Sequence, residues 1–253
     1  MNFLNFNESF MEKSKLISFI SKYSLNGLIE TAEWKLTEDE LSTRFMSDDD
    51  NAIGEVRMSG IVNASYKHDE IFGVANTGFL VKMLSVLNDS IDITLSAKAG
   101  SVPDTLRITD GSTDVNYMLA DPAIVAKAPT PKNLPEPTYE FELDKVEFIE
   151  KFIKAKAAFN DIETFILNPK KKGLELTVGN SVNKIKITVK TDIIGSATRP
   201  IAFSAKYFKE MLSTNKDMIS GKIAVYERGM AQITFKHADA SVTYFLTEIL
   251  NQN

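Results

Sequence analysis

The chain has 253 residues, 43% hydrophobic and 25% charged, with a formal net charge of −5, enough for two ordinary domains and the wrong sign for a uniformly basic nucleic-acid-binding surface. It has no cysteine and two histidines far apart, His68 and His237, which excludes disulfides, thiolate catalysis and cysteine-ligated metal centres. No stretch approaches the roughly 20 apolar residues of a membrane span, and MNFLNFNES lacks the basic region and continuous apolar run of a signal peptide, so no membrane contact and a cytoplasmic location are expected (the host cytoplasm if the source is viral).

Ser9-x-x-Glu12 reads as a capping box, followed by Leu16, Ile17, Ile20 and Tyr23 at helical spacing, and predicts an amphipathic helix over 7–24. From 28 to 74 the pattern changes to short alternating runs separated by polar turns, as antiparallel strands require. A second helix is predicted over 76–87, capped by Asn76 or Thr77 and burying Phe79, Leu80, Met83, Leu84 and Leu87. Strands follow at 91–95 and 105–119, broken by Ala99-Gly100-Ser101 and Asp110-Gly111.

Residues 121–137, DPAIVAKAPTPKNLPEP, carry prolines at 122, 129, 131, 135 and 137. Such a run suits neither a helix nor a central strand and reads as an extended, semi-rigid connector. Beyond it the order begins again. Asp144-x-x-Glu147 opens a helix through about Ala158, with Val146, Ile149, Phe152 and Ile153 inward. Strands are expected at 165–167, 174–178, 184–190 and 201–203. Ser204 can cap a helix over 205–215 that buries Tyr207, Phe208, Met211 and Leu212, and strands at 222–227, 231–236 and 241–250 complete the chain.

The two halves match in detail. TGFLVKMLS at 77–85 aligns with AKYFKEMLS at 205–213 at an offset of 128, and the RIT…VNYML and QIT…VTYFL runs recur at offsets of 125 and 127. A repeat this long denotes duplicated domains and not a solenoid. The fold class is therefore α+β, two helices on antiparallel sheet in each half, divided as 1–120, a connector at 121–137, and 138–253.

Charge follows the elements. The four predicted helices with their flanking residues, 8–24, 76–87, 143–158 and 204–216, hold 11 lysines against 6 carboxylates, whereas the remainder holds 18 basic and 28 acidic residues. Lysine is a good helix former on any solvated face, but helices turned to one side would make that side basic.

The LRITDGSTDVNYMLADPAIV run at 106–125, NTGFLVKMLSVLNDSIDITLS and SVTYFLTEIL resemble the DNA polymerase sliding clamps, nearest to the trimeric clamps of T-even bacteriophages and more distantly to proliferating cell nuclear antigen. That resemblance implies a head-to-tail homotrimer whose six domains form a ring. It implies helices lining the hole, sheets outside and duplex DNA passing through, and with them a processivity factor and not an enzyme. It implies DNA-facing roles for Lys13, Lys15, Lys22, Lys82, Lys145, Lys151, Lys154, Lys206, Lys209 and Lys216, which attract phosphates without reading bases. Glu147 and Glu150 stand four residues before Lys151 and Lys154 and are placed to pair with them.

The resemblance further implies a subunit interface in which Thr113, Val115 and Tyr117 on one edge strand meet Val182, Ile185 and Ile187 of a neighbour. A partner pocket would be formed by Met46, Ile124, Val125, Leu134, Met230, Ile249 and Leu250, taking a short hydrophobic peptide of the replicative polymerase or another replication protein. No phosphate-binding loop is present, so an ATP-dependent clamp loader would open the ring. No cofactor or metal is expected. The chain departs from the nuclear relative in its long connector and in Thr247-Glu248, where that relative has small and proline residues.

Two other readings stay open. A monomeric clamp-like accessory protein would hold DNA on one basic face. A metal-dependent nuclease would rest on Asp48-Asp49-Asp50, although a consecutive acidic triplet between strands reads first as a solvated turn. Lys170-Lys171-Lys172 reads as a hairpin tip.

Overall fold

The computed structural model describes residues 11–60, 69–97, 102–130, 134–170, 173–190 and 199–250. Ser9, the turn at 99–101, Lys171 and Lys172 lie outside them. The chain forms two compact units, Met1–Phe45 with Val56–Lys127 and Met46–Glu55 with Ala128–Asn253.

In chain order the first part carries β1 (Met11–Glu12), α1 (Lys13–Ser24), β2 (Ala32–Leu36), β3 (Glu40–Met46), β4 (Ala52–Ser59), β5 (Glu70–Val74), α2 (Thr77–Leu84), β6 (Ser90–Ser96), β7 (Thr105–Thr109) and β8 (Asp114–Met118). One sheet runs β1-β6-β7-β8, and β5-β2-β3-β4 lie side by side in another. On α1, Leu16, Phe19, Ile20 and Tyr23 form a buried stripe at the i, i+3, i+4, i+7 spacing of one helical face. That stripe packs Phe19 and Tyr23 edge-on against Trp34. The buried Tyr23 hydroxyl donates to Thr77 Oγ1 at 2.9 Å, and Thr77 donates in turn to the Glu30 carbonyl. This ties α1 to the start of α2 and satisfies a phenol that burial pushes well above its usual pKa.

The second part carries β9 (Tyr139–Glu142), α3 (Lys151–Ala158), β10 (Thr164–Lys170), β11 (Gly173–Gly179), β12 (Lys184–Val189), β13 (Ile201–Ser204), α4 (Ala205–Thr214), β14 (Ser220–Tyr226), β15 (Met230–Lys236) and β16 (Ala240–Thr247). Its sheets run β12-β11-β10-β13 and β16-β15-β14-β9. Phe148, Phe152, Phe165, Phe203 and Phe208 form the aromatic core, with Phe165 stacked on Phe208 at 4.7 Å between centroids. Asn215 is the polar anchor here: its Nδ2 donates to Tyr244 Oη at 2.9 Å and to the Met211 carbonyl, and its Oδ1 lies 2.9 Å from His237 Nε2.

The helices differ from expectation at their ends. The first begins at Lys13, because Met11 and Glu12 pair with Ile91 and Ser90 instead of joining it. The second ends at Leu84, and Phe79 lies exposed on it. Asn76 supplies its cap, accepting from Phe79 N at 3.0 Å. The third opens as a π-type turn over Lys145–Glu150, in which the Asp144 carbonyl accepts from both Phe148 N and Ile149 N. The wider turn lets adjacent residues 148 and 149 both point inward. Ser204 caps α4 as expected, accepting from Tyr207 N.

Candidate DNA-facing and partner-docking surfaces

The ten lysines expected to face DNA divide by what already holds them. Lys82 on α2, Lys206 on α4 and Lys216 just beyond α4 are exposed. Lys206 sits 5.5 Å from the Tyr207 ring centroid, a cation-π distance that leaves the ammonium in solvent. Lys154 and Lys216, with Ile149 and Ile153, border a hollow of about 280 Å³. Lys151 and Lys154 pair with Glu147 and Glu150 one turn earlier, and Lys209 pairs with Glu210 at 2.6 Å. Lys15 is half-buried. Nothing is assigned to the Lys145 side chain, which lies outside the described atoms.

Two of the ten are structural. Lys13 donates to the Leu87 carbonyl beyond the end of α2 and lies 3.9 Å from Asp89. Lys22 is only 2% exposed and donates to Ser18 Oγ at 3.1 Å, so it is withdrawn from the DNA-facing set. Its counterpart Lys156, also buried, donates to the Phe159 and Asn160 carbonyls past the end of α3. Desolvation, aided by the charge of Lys209, lowers its pKa. The stripe itself carried the signal for both: Lys22 follows Phe19 by three and Lys156 follows Phe152 by four, spacings that share a helical face.

The two strands expected at the subunit interface each end a sheet, β8 beside β7 and β12 beside β11. Their inward side chains belong to their own cores, since Val115, Tyr117 and Ile187 are buried. The Tyr117 ring lies 6.4 Å from Phe79. Outward-facing Asp114 and Asn116 share β8 with Met118, 84% exposed, while Val182 is 82% exposed ahead of β12 and Lys184, Ile185 and Lys186 are exposed on it. The turns behind these strands are capped differently. Asp110 Oδ1 accepts from Ser112 N, Ser112 Oγ and Thr113 N, whereas Asn180 Oδ1 accepts from Val182 N and Asn183 N.

Of the seven expected pocket residues, Leu134, Met230 and Leu250 border one open recess of about 470 Å³, with Pro135, Tyr226 and Thr247. Met46 and Ile249 are half-buried and not part of its lining; Ile249 N donates to the Ala202 carbonyl. Ile124 is 76% exposed, whereas Val125 is buried against Gly73, where a Cβ would stand 3.0 Å from its Cγ2. Val125 is therefore core of the first unit and not pocket lining. Sequence reasoning missed Arg228 and Tyr226 in the recess; the break between the strands expected at 222–227 and 231–236 was visible, but not what it faces.

The acidic turn is occupied internally. Asp49 Oδ1 accepts from Ser47 Oγ at 2.7 Å, Asn51 N and the Tyr207 hydroxyl; despite partial burial, these bonds hold its carboxyl below the usual range. Among the described residues no three histidine or carboxylate side chains converge as a metal site requires.

No family model matches the chain, and no curated protein matches it by sequence. Solved structures do. The PCNA of A. fulgidus, in complex with the C-terminal region of FEN-1, superposes with a TM-score of 0.74 at 18% identity, covering 96% of this chain and 98% of its own. Proliferating Cellular Nuclear Antigen from Entamoeba histolytica gives 0.72 at 14% identity, covering 95% and 97%. The fold is that of the sliding clamps. Both clamp structures are covered nearly end to end. Among the described residues no helix is long and apolar enough to cross a membrane.

Proposed function

We propose that the chain is a non-catalytic DNA sliding clamp, three copies of which close head to tail around duplex DNA and tether a replicative polymerase and other replication proteins. The observation that carries this reading is the clamp fold across 96% of the chain. Exposed Lys82, Lys206 and Lys216 supply cations without any base-reading constellation, and a ring that contacts only phosphates can slide. An otherwise acidic chain discourages DNA from binding elsewhere.

Closure is by strand addition: β8 of one copy extends the sheet ending in β12 of the next. Unpaired edges are templates for such pairing. The recess beside Leu134 and Leu250 takes a short partner peptide, as A. fulgidus PCNA takes the C-terminal region of FEN-1. Opening is left to a separate ATP-dependent loader.

Native mass spectrometry and DNA retention test the ring together. The expected particle has three times the 28.2 kDa chain mass, and once loaded it stays on nicked circular DNA and leaves when the circle is linearised. A stable monomer at micromolar concentration that still binds DNA would overturn the ring in favour of a monomeric accessory protein.

A further inference from the structure

Three charged side chains set the electrostatics of the recess. Glu248 lines it and is largely covered. Its carboxylate accepts two N–H groups from the Arg199 guanidinium, Nη1 to Oε1 and Nη2 to Oε2 at 2.6 Å. This bidentate pairing holds the Glu248 carboxyl below its usual pKa and raises that of Arg199. The one carboxylate of the lining is therefore already neutralised.

Arg228 also lines the recess, is exposed, and forms no ion pair among the described residues. The β14–β15 turn fixes its place. Gly229 N donates to the Tyr226 carbonyl at 3.0 Å and Glu248 N donates to the Gly229 carbonyl at 2.7 Å, while Gly229 adopts a φ of +77° that a residue with a Cβ rarely accepts. An apolar wall of Leu134, Met230 and Leu250 thus stands beside an exposed guanidinium that no described carboxylate pairs.

We propose that this recess selects acidic peptides: an apolar anchor seats against Leu134, Met230 and Leu250, and a carboxylate pairs with Arg228. The carboxylate belongs to an Asp or Glu side chain or to the peptide's own C-terminus. The inference rests on the docking reading above and adds its chemical selectivity. A charge-assisted hydrogen bond contributes roughly ten- to a hundredfold in affinity, and leaving a carboxylate unpaired against an apolar wall costs in the same direction.

The test selects random dodecapeptides displayed with free C-termini, and in parallel with fused C-termini, on the intact wild-type protein, on R228E and on L250R. Leu250 is exposed, so L250R obstructs the recess without touching a core. On the wild type, peptides lost on L250R are expected to be rich in apolar anchors and in Asp or Glu, and on R228E the acidic enrichment turns basic. Enrichment in both libraries assigns the acid to a side chain; enrichment confined to the last residue of the free-ended library assigns it to the terminus. Replacing the acid of one selected peptide by its amide weakens binding to the wild type about tenfold and leaves binding to R228Q unchanged. Recess-dependent peptides with no acidic bias, or with the same bias on R228E, overturn this inference and leave docking intact. If no selected peptide is sensitive to L250R, docking at the recess fails as well.

Discussion

The two units put the same kinds of side chain to different uses. In the first, Lys13 and Lys22 are held by the Leu87 carbonyl and Ser18, and Lys82 alone of the expected set is both described and fully exposed. In the second, Lys156 takes the inward role, leaving Lys206 and Lys216 exposed. In both units the exposed lysines of the second helix and its C-terminal flank make no ion pair among the described residues, while the first helix spends its last-turn lysine on the interior. A lysine count on a helix is thus not a measure of binding surface, because helix C-terminal carbonyls compete for the same ammonium groups.

The sharpest way to break this contrast is to reverse charge on one side of it. K206E/K216E should shorten processive DNA products at least tenfold and flatten the salt dependence of DNA retention, each lost phosphate contact removing about 0.9 from the log–log slope, with trimer mass unchanged. K13Q/K22M should leave product length within about twofold, read on the same primer-extension gel. Equal losses from both pairs would end the division of labour.

A second contrast lies in the buried tyrosines. Asn215→Leu removes four hydrogen bonds, with Met211, Thr214, Tyr244 and His237, and should cost about 3 kcal/mol, whereas Thr77→Val removes two, with Tyr23 and the Glu30 carbonyl, and should cost about 1–2 kcal/mol, both read from denaturant unfolding. A smaller difference is expected between the buried lysines. Lys156→Met loses two helix-end bonds and should cost about 1 kcal/mol more than Lys22→Met.

The smallest expected effect is on the two hairpins. Hydrogen bonds, led by that from Asn88 N, hold the Asp110 carboxyl far below its ordinary value of 3.8. A depressed carboxyl stabilises the fold fully above the unfolded pKa and progressively less as pH falls beneath it. Acidification below about pH 4 should therefore lower the exchange protection factors of the Ser112 and Thr113 amides ahead of those of Val182 and Asn183, whose cap, Asn180, does not titrate. Asp110→Asn should abolish the difference in pH dependence.

Much of this was legible beforehand because it is periodic. Leu16, Ile20 and Tyr23 of the first stripe, the repeat at an offset of 128 and the alternation of 184–189 follow from residue spacing alone, whereas Phe19 is buried where Ile17 was expected. What was hidden depends on particular partners that spacing does not announce. The π-type turn needs the Asp144 carbonyl to accept from Ile149 N, five residues on, and burial of Val125 needs a glycine at 73. The Arg199–Glu248 pair joins positions 49 residues apart, with nothing local to announce it.

Gly229 has a consequence for how this sequence can change. A Cβ there would stand 2.8 Å from that of Glu248, and the backbone dihedral disfavours every residue but glycine and, to a lesser degree, asparagine. Shortening Glu248 would not open position 229, because every residue but glycine keeps that Cβ, while its loss would strand Arg199 without its carboxylate. The turn is therefore closed to variation by its backbone and by its neighbour together.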